Sequence, residues 1–218
     1  MSLFTPESLV KLMRSFGIRS KLDPVVSLCL GPCEISISEM VQAYTAFPNK
    51  GIRVEPLLVT RIEDANGNVI KKFNPQMHEI FSQETANKMI YIMRAVIDGG
   101  TGSRIRNRYG LTMPMGGKTG TTQNNSDGWF MGYTPSLVSG AWVGGEDRSI
   151  HFDNISEGQG AAMALPIWAL YMKKVLADPD LGYSANEQFE VPSSFNPNQG
   201  CGGDAPTPTT ETTATKKN

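Results

Sequence analysis

The stretch Gly117-Lys118-Thr119-Gly120-Thr121 is where residue types and spacing point most directly to chemistry. On an edge strand beside a cleft, a lysine ammonium lowers the pKa of a nearby serine or orients its proton. The threonine hydroxyl at 119 can bind a substrate carboxylate. Glycine at 120 lets an acyl chain lie against the strand backbone with no Cβ in the way. The same letters invite a phosphate-loop reading, which fails on register. That loop needs a glycine five positions before Gly117, where Thr112 stands, and Gly110 is out of step. The residues that follow, Gly120 to Asn124, read as a strand end and turn rather than a helix start.

Metal chemistry finds little support. Cys29-x-x-x-Cys33 has a possible ligand spacing, but His78 and His151 are isolated and neither completes a site. The two cysteines read as small apolar side chains or as a pair that oxidises. His151, beside Glu146, Asp147 and Asp153, reads as part of an exposed polar loop. No metal and no cofactor are expected.

Composition narrows the remaining classes. The chain has 218 residues, 20 Lys+Arg against 21 Asp+Glu and a net charge of −1. A nucleic-acid binder needs a clustered basic surplus, so none is expected as partner. With 39% hydrophobic and 19% charged residues the chain is globular rather than disordered. One domain is expected at this length. The longest apolar stretch, Ala161 to Met172, holds a proline and falls short of the ~20 residues of a membrane span. The N-terminus shows no basic-then-apolar leader, and the chain as given is expected to be soluble.

The elements that must position the 117–121 stretch can be read from caps and periodicity. Thr5-Pro6-Glu7 is an N-cap, a first-turn proline and an acidic first turn, followed by Leu9, Leu12, Met13 and Phe16 at helical spacing and Gly17 as stop. Residues 18–35 read mainly as loop. Ser36-x-x-Glu39 is a capping box, and Ile37, Met40, Val41, Tyr44 and Phe47 form the expected buried stripe of the next helix. Segments 57–63 and 69–73 flank Asn66-Gly67, a hairpin signal in which both residues tolerate positive φ. Ser82 starts another capped helix with Ala86, Met89, Ile90, Met93, Val96 and Ile97 facing inward, stopped by Gly99-Gly100. Three strands, roughly 115–121, 128–133 and 137–144, read as an antiparallel meander. A last apolar helix spans Ala161 to Leu176, with Pro166 either kinking it or in its first turn. From Val191 to residue 218 the pattern is that of a disordered Pro/Thr-rich tail.

Several of these runs together resemble a known family. Gly117-Lys118-Thr119-Gly120-Thr121-Thr122, then Asp127 to Pro135, then Ala141-Trp142-Val143-Gly144, are similar to the transpeptidase domain of class A, bifunctional penicillin-binding proteins. Ser27 to Gly31, Glu39 to Tyr44, Asn49-Lys50-Gly51 and Gly100-Thr101-Gly102 agree in the right order, so the likeness covers about residues 4 to 178. The family's site joins a Ser-x-x-Lys, a Ser-x-Asn and a Lys-Thr-Gly strand. The resemblance carries over the third, onto Lys118, Thr119 and Gly120, with Thr121 as an extra hydroxyl. Ser8-Leu9-Val10-Lys11 spells the first pattern, but on an amphipathic surface helix. Ser194-Phe195-Asn196 spells the second, but after the Lys-Thr-Gly and in the tail. Both read as coincidences.

The resemblance implies an α/β (α+β) fold, an antiparallel sheet with helices packed on it, of which this chain supplies the C-terminal part. Residues 1–3 read as an added start, and residues 4–190 as the domain portion. It implies a serine acyl transferase of peptidoglycan synthesis in a longer parent, acting on stem peptides ending in D-Ala-D-Ala and acylated by β-lactams. That parent would also carry a glycosyltransferase domain and an inner-membrane anchor, with this domain on the periplasmic side. The nucleophile motifs belong upstream of this text, so the chain alone is expected to be inactive. Its sheet is expected to keep an open edge near 137–144, so that the isolated piece self-associates or is only loosely folded. The alternative is a non-catalytic scaffold module of a cell-wall complex; a serine β-lactamase fits the sequence less well.

Overall fold

The computed structural model describes residues 5–196. Thr5 caps helix α1 (Pro6–Ser15), its side chain accepting from the Ser8 backbone N–H, as the sequence predicts. The following loop contains one turn of 3-10 helix, Val26–Leu30, ended by Gly31 at φ +84°. Helix α2 (Ile37–Tyr44) begins at the expected capping box of Ser36 and Glu39. The expected stripe of α2 holds in part: Phe47 is buried and Met40, Val41 and Tyr44 are half-buried, but Ile37 is exposed, whereas Gln42 and Ala43, outside the stripe, are buried. The helix is approached from both the α1 side and the sheet side, so its buried sector rotates away from Ile37 toward Ala43.

Four short strands follow. β1 (Ile52–Val54) pairs antiparallel with β4 (Met77–Glu79), a pairing the sequence did not announce. Between them β2 (Arg61–Glu63) and β3 (Val69–Lys72) make the predicted hairpin, shorter than its apolar segments, every residue exposed. In its turn only Gly67 takes positive φ. Asn66 does not, because Asp64 Oδ1 fixes the turn by accepting from the backbone N–H groups of Asn66 and Asn68.

Helix α3 (Gln83–Asp98) is capped by Ser82 and buries Ala86, Ile90, Met93 and Ile97 as expected. Asn87 and Lys88 are buried too, the ammonium of Lys88 lying 2.7 Å from Glu84. A short helix α4 (Arg104–Asn107) leads to the three predicted strands: β5 (Gly116–Thr121), β6 (Asp127–Tyr133) and β7 (Val138–Gly144), in the order β5-β6-β7. After α5 (Ile155–Gly158), helix α6 (Gly160–Ala177) closes the fold. Pro166 sits in its interior rather than in its first turn.

The main core lies between α6 and one face of this sheet, where Phe130, Leu165, Trp168 and Met172 pack with Ile97 and Met115. Indole and ring of Trp168 and Phe130 meet edge-on at 5.1 Å. Opposite, Phe47, Ile90, Met93 and Tyr133 form a second cluster, and Ile18, Leu22, Leu28 and Ala43 a third beneath α1. The chain after α6 returns across the second cluster: Phe189 stacks edge-on against Tyr133 and Glu190 pairs with Lys50 at 2.6 Å. Of the segment read as tail, residues 191–196 continue this path and border a cavity with Gln83 and Asn87. Residues 1–4, and 197–218 of the expected tail, lie outside the described residues. No described helix is long and apolar enough to cross a membrane.

Candidate functional site

Strand β5 forms one edge of the sheet and carries all four residues singled out from sequence. It pairs with β6 in the register Lys118↔Met131, Thr119↔Phe130, Gly120↔Trp129 and Thr121↔Gly128. An extended strand, not a phosphate-cradling loop, therefore occupies these positions, and it ends in a turn in which Asn124 and Asn125 both adopt positive φ. The turn is closed by Thr122 Oγ1, which accepts from the Asp127 N–H at 2.9 Å.

The pleat divides the strand into two faces. Lys118 and Gly120 share one with Met131, Trp129 and the exposed Trp142. Lys118 is exposed, and its Nζ donates to the Thr119 carbonyl at 2.6 Å. The tryptophan rings, 6.4 Å apart, stand over a groove of about 500 Å³ that runs to Ser36 and Ile37. An Arg148–Glu34 ion pair of 3.4 Å sits at its rim. Trp142 Nε1 donates to Asp127 Oδ1 at 3.1 Å.

Thr119 and Thr121 face the other way, and each hydroxyl has a partner distant in sequence. Thr119 Oγ1 lies 2.7 Å from Thr101 Oγ1, in the loop between α3 and α4. Thr121 Oγ1 accepts from the Gly160 N–H at 3.0 Å, which satisfies one of the free donors at the start of α6. A hydroxyl that accepts in this way keeps its own proton for another acceptor. The close approach needs glycine: a Cβ on Gly160 would lie 2.2 Å from the Gly120 carbonyl oxygen and 2.5 Å from that of Trp129. Gly117 is equally confined, its absent Cβ falling 2.8 Å from the Met131 carbonyl and 3.2 Å from Ile97 Cδ1. Sequence reasoning did not assign Thr101 or Gly160 a place here. They stand 18 and 39 positions from their partners, beyond any local pattern.

The two look-alike motifs fall elsewhere. Ser8 is on the exposed side of α1, where its hydroxyl bonds that of its neighbour Thr5 at 2.9 Å as part of the helix cap. Ser194 and Asn196 border the cavity at the start of α3. Among the described residues no cluster of His, Cys, Asp and Glu is arranged to hold a metal ion. Cys29 and Cys33 are free thiols, the first exposed and the second half-buried, with its thiol pKa raised by burial. His151 and the acidic residues around it are exposed, as expected.

One carboxylate is strongly perturbed. Glu39 is partly desolvated, which alone would raise its pKa. Hydrogen bonds from Ser20 Oγ and the backbone N–H groups of Arg19, Ser20 and Ser36 outweigh that and bring it down to about 2. It ties α2 to the loop after α1 and does not touch the strand.

The family model described as the penicillin binding protein transpeptidase domain matches residues 15–143. Penicillin-binding protein 1A of Aquifex aeolicus is 33% identical over 186 residues, 85% of this chain and 24% of that protein. Penicillin-binding protein 2D of Bacillus subtilis is 32% identical over 203 residues, covering 81% of this chain and 28% of its own length. The chain thus spans about a quarter of the curated relatives it matches. Among solved structures, penicillin-binding protein 1A from Haemophilus influenzae superposes with a TM-score of 0.70 at 25% identity, over 79% of this chain and 31% of that one. PonA1 of Mycobacterium tuberculosis gives 0.72 at 23% identity over 97% of this chain and 59% of its own, a likeness of fold. With a matched domain model over most of the described residues and the mixed helix and antiparallel-sheet fold of these neighbours, the chain belongs to the penicillin-binding protein transpeptidase domain family, and its likeness runs to the class A proteins of the 1A kind.

Proposed function

We propose that this chain supplies the substrate-binding wall of a peptidoglycan D,D-transpeptidase, with β5 as that wall. The observation that carries the reading is a strand at the sheet edge on which Lys118 and Thr121 are exposed and Thr119 and Gly120 half-buried, side by side with the ammonium, hydroxyls and open backbone that a peptide carboxylate and a serine nucleophile require. A stem peptide ending in D-Ala-D-Ala lies along 118–121 as an added strand. Thr119 and Thr121 donate their hydroxyl protons to its carboxylate. Gly120 leaves room for its backbone. In the longer parent a serine attacks the D-Ala-D-Ala peptide bond, D-alanine leaves, and an amine of a neighbouring strand takes over the acyl group. Lys118 there stabilises charge beside the serine and assists its proton transfer, and β-lactams acylate the same serine. The parent is read as membrane-anchored, with this domain on the periplasmic side beside a glycosyltransferase domain.

No nucleophile is assigned within this chain, so a positioned lysine and two hydroxyls provide binding without turnover. Incubation with a fluorescent penicillin is expected to leave no covalent label after denaturing electrophoresis. A label that disappears on Ser8→Ala would overturn the reading. Among the described residues the sheet order leaves β7 with β6 as its one strand neighbour, and we read that edge as a self-association surface. Sedimentation velocity is expected to show mass rising with concentration, and Trp142→Lys at the edge to suppress the rise. A concentration-independent monomer would refute it.

A further inference from the structure

We infer that Thr101 is a positioning residue, which orients the Thr119 hydroxyl to receive a carboxylate. The inference deepens the reading of β5 as a carboxylate-binding strand and rests on it. Its basis is the 2.7 Å contact between the two threonine hydroxyls across loop and strand. A hydroxyl pair of this kind has two senses. If Thr119 donates to Thr101, its proton is spent and it offers a carboxylate nothing but lone pairs. If Thr101 donates, Thr119 keeps its proton for the ligand, and the two bonds run in series and strengthen each other. An arriving anion selects the second sense, so Thr101 acts through Thr119.

The loop is built to hold that geometry. Gly100 N–H bonds the Ala95 carbonyl at 3.0 Å and Gly102 N–H that of Val96 at 2.9 Å, which folds residues 99–102 back on the end of α3. A Cβ at Gly100 would lie 2.9 Å from Val96 Cα, and one at Gly102 would lie 2.9 Å from Ile97 Cδ1, the methyl that also lies against Gly117 of β5. Arg104 Nη1 donates to the Ala161 carbonyl at 3.1 Å, binding the following turn to α6. Thr101 is thus carried on a segment anchored to α3, to β5 and to α6. Thr121 is oriented by the same logic, through the Gly160 N–H, so both hydroxyls of the strand are aimed from behind by a fixed partner.

The test is titration of the full chain, followed by backbone and methyl NMR, with an N-acylated peptide ending in D-alanyl-D-alanine and with its C-terminal amide. Wild type is expected to bind the free acid more tightly than the amide, with shifts at Thr119 and Gly120. Thr101→Val, which keeps the branched shape and removes the hydroxyl, is expected to weaken binding of the acid about 5- to 10-fold and to leave the amide unchanged. Thr101→Ser is expected to restore the acid to within about twofold. Acid binding by Thr101→Val equal to wild type overturns the inference, as does a Thr101→Ser as weak as the valine variant, which would assign the effect to packing. A wild type that treats acid and amide alike, or binds neither, overturns the carboxylate-binding reading itself.

Discussion

Helix α1 carries the local signals of a helix and buries none of its residues, whereas α6 has no side-chain cap, a proline in its interior and nine buried residues. The difference separates two ways of holding a helix. α1 is sustained by Thr5, by its acidic first turn and by Arg14, whose guanidinium bonds the carbonyls of Ile18 and Ser20 at 2.7 Å. α6 is sustained by contact with the sheet, down to a hydrogen bond from its first residue to Thr121. The proposed chemistry lies on the α6 side, where packing fixes positions to within a methyl group. The α1 side is joined to the rest by the small apolar cluster of Ile18, Leu22, Leu28 and Ala43, by Phe16 against Phe47 and Phe81, and by two polar ties, the clasp of Glu39 and the buried Arg53, which donates to the Ser15 carbonyl at 3.1 Å.

This contrast can be broken by mutation. Trp168→Ala is expected to have the largest effect, a loss of about 3–5 kcal/mol in urea unfolding, since it empties the space between Phe130 and Gly132. Gly160→Ala forces a methyl into two carbonyl oxygens. It is expected to cost about 2–3 kcal/mol by the same measurement and to displace the amide resonances of 119–121. A Gly160→Ala variant with unaltered β5 resonances would show that α6 does not set the strand's position.

The clasp gives a smaller, pH-dependent effect. Because the folded pKa of Glu39 lies near 2 against an ordinary 4.5, its contribution is complete above about pH 4.5 and is lost as pH falls toward 2. Allowing for solvent around this half-buried group, it amounts to about 2 kcal/mol. Glu39→Gln should therefore remove about that much at pH 7 and flatten the stability profile between pH 4.5 and 2. An unchanged profile would mean that the clasp does not hold α2. Smallest is Thr5→Ala, expected to cost about 1 kcal/mol or less and to fray α1 by circular dichroism while tryptophan fluorescence stays unchanged. A shift in tryptophan emission in Thr5→Ala would show that α1 and α6 are coupled after all.

Much of this organisation can be read from the chain itself. The three strands are legible because Asn124-Asn125 and Thr134-Pro135 punctuate runs of β-forming residues at close range. Lys118, Thr119, Gly120 and Thr121 are legible because strand chemistry depends on consecutive residues. The pairing of β1 with β4 is not, since three-residue strands around an intervening hairpin give no periodicity to detect. Nor is the exposure of Ile37 with burial of Gln42, because apolar spacing predicts that a helix has a covered face but not the angle from which neighbours cover it.

By itself the amino-acid order determined the caps, the turns, the meander and the run of side chains along β5, all of which depend on atoms a few residues apart. The fold alone decided that Thr101 would meet Thr119, that Gly160 would donate to Thr121 and that Lys118 would face outward. Those contacts join segments many positions apart, and they form when α3 and α6 close on the sheet and exclude water. Their geometry is set by which surfaces pack together, a property of the whole assembled core that no local stretch encodes.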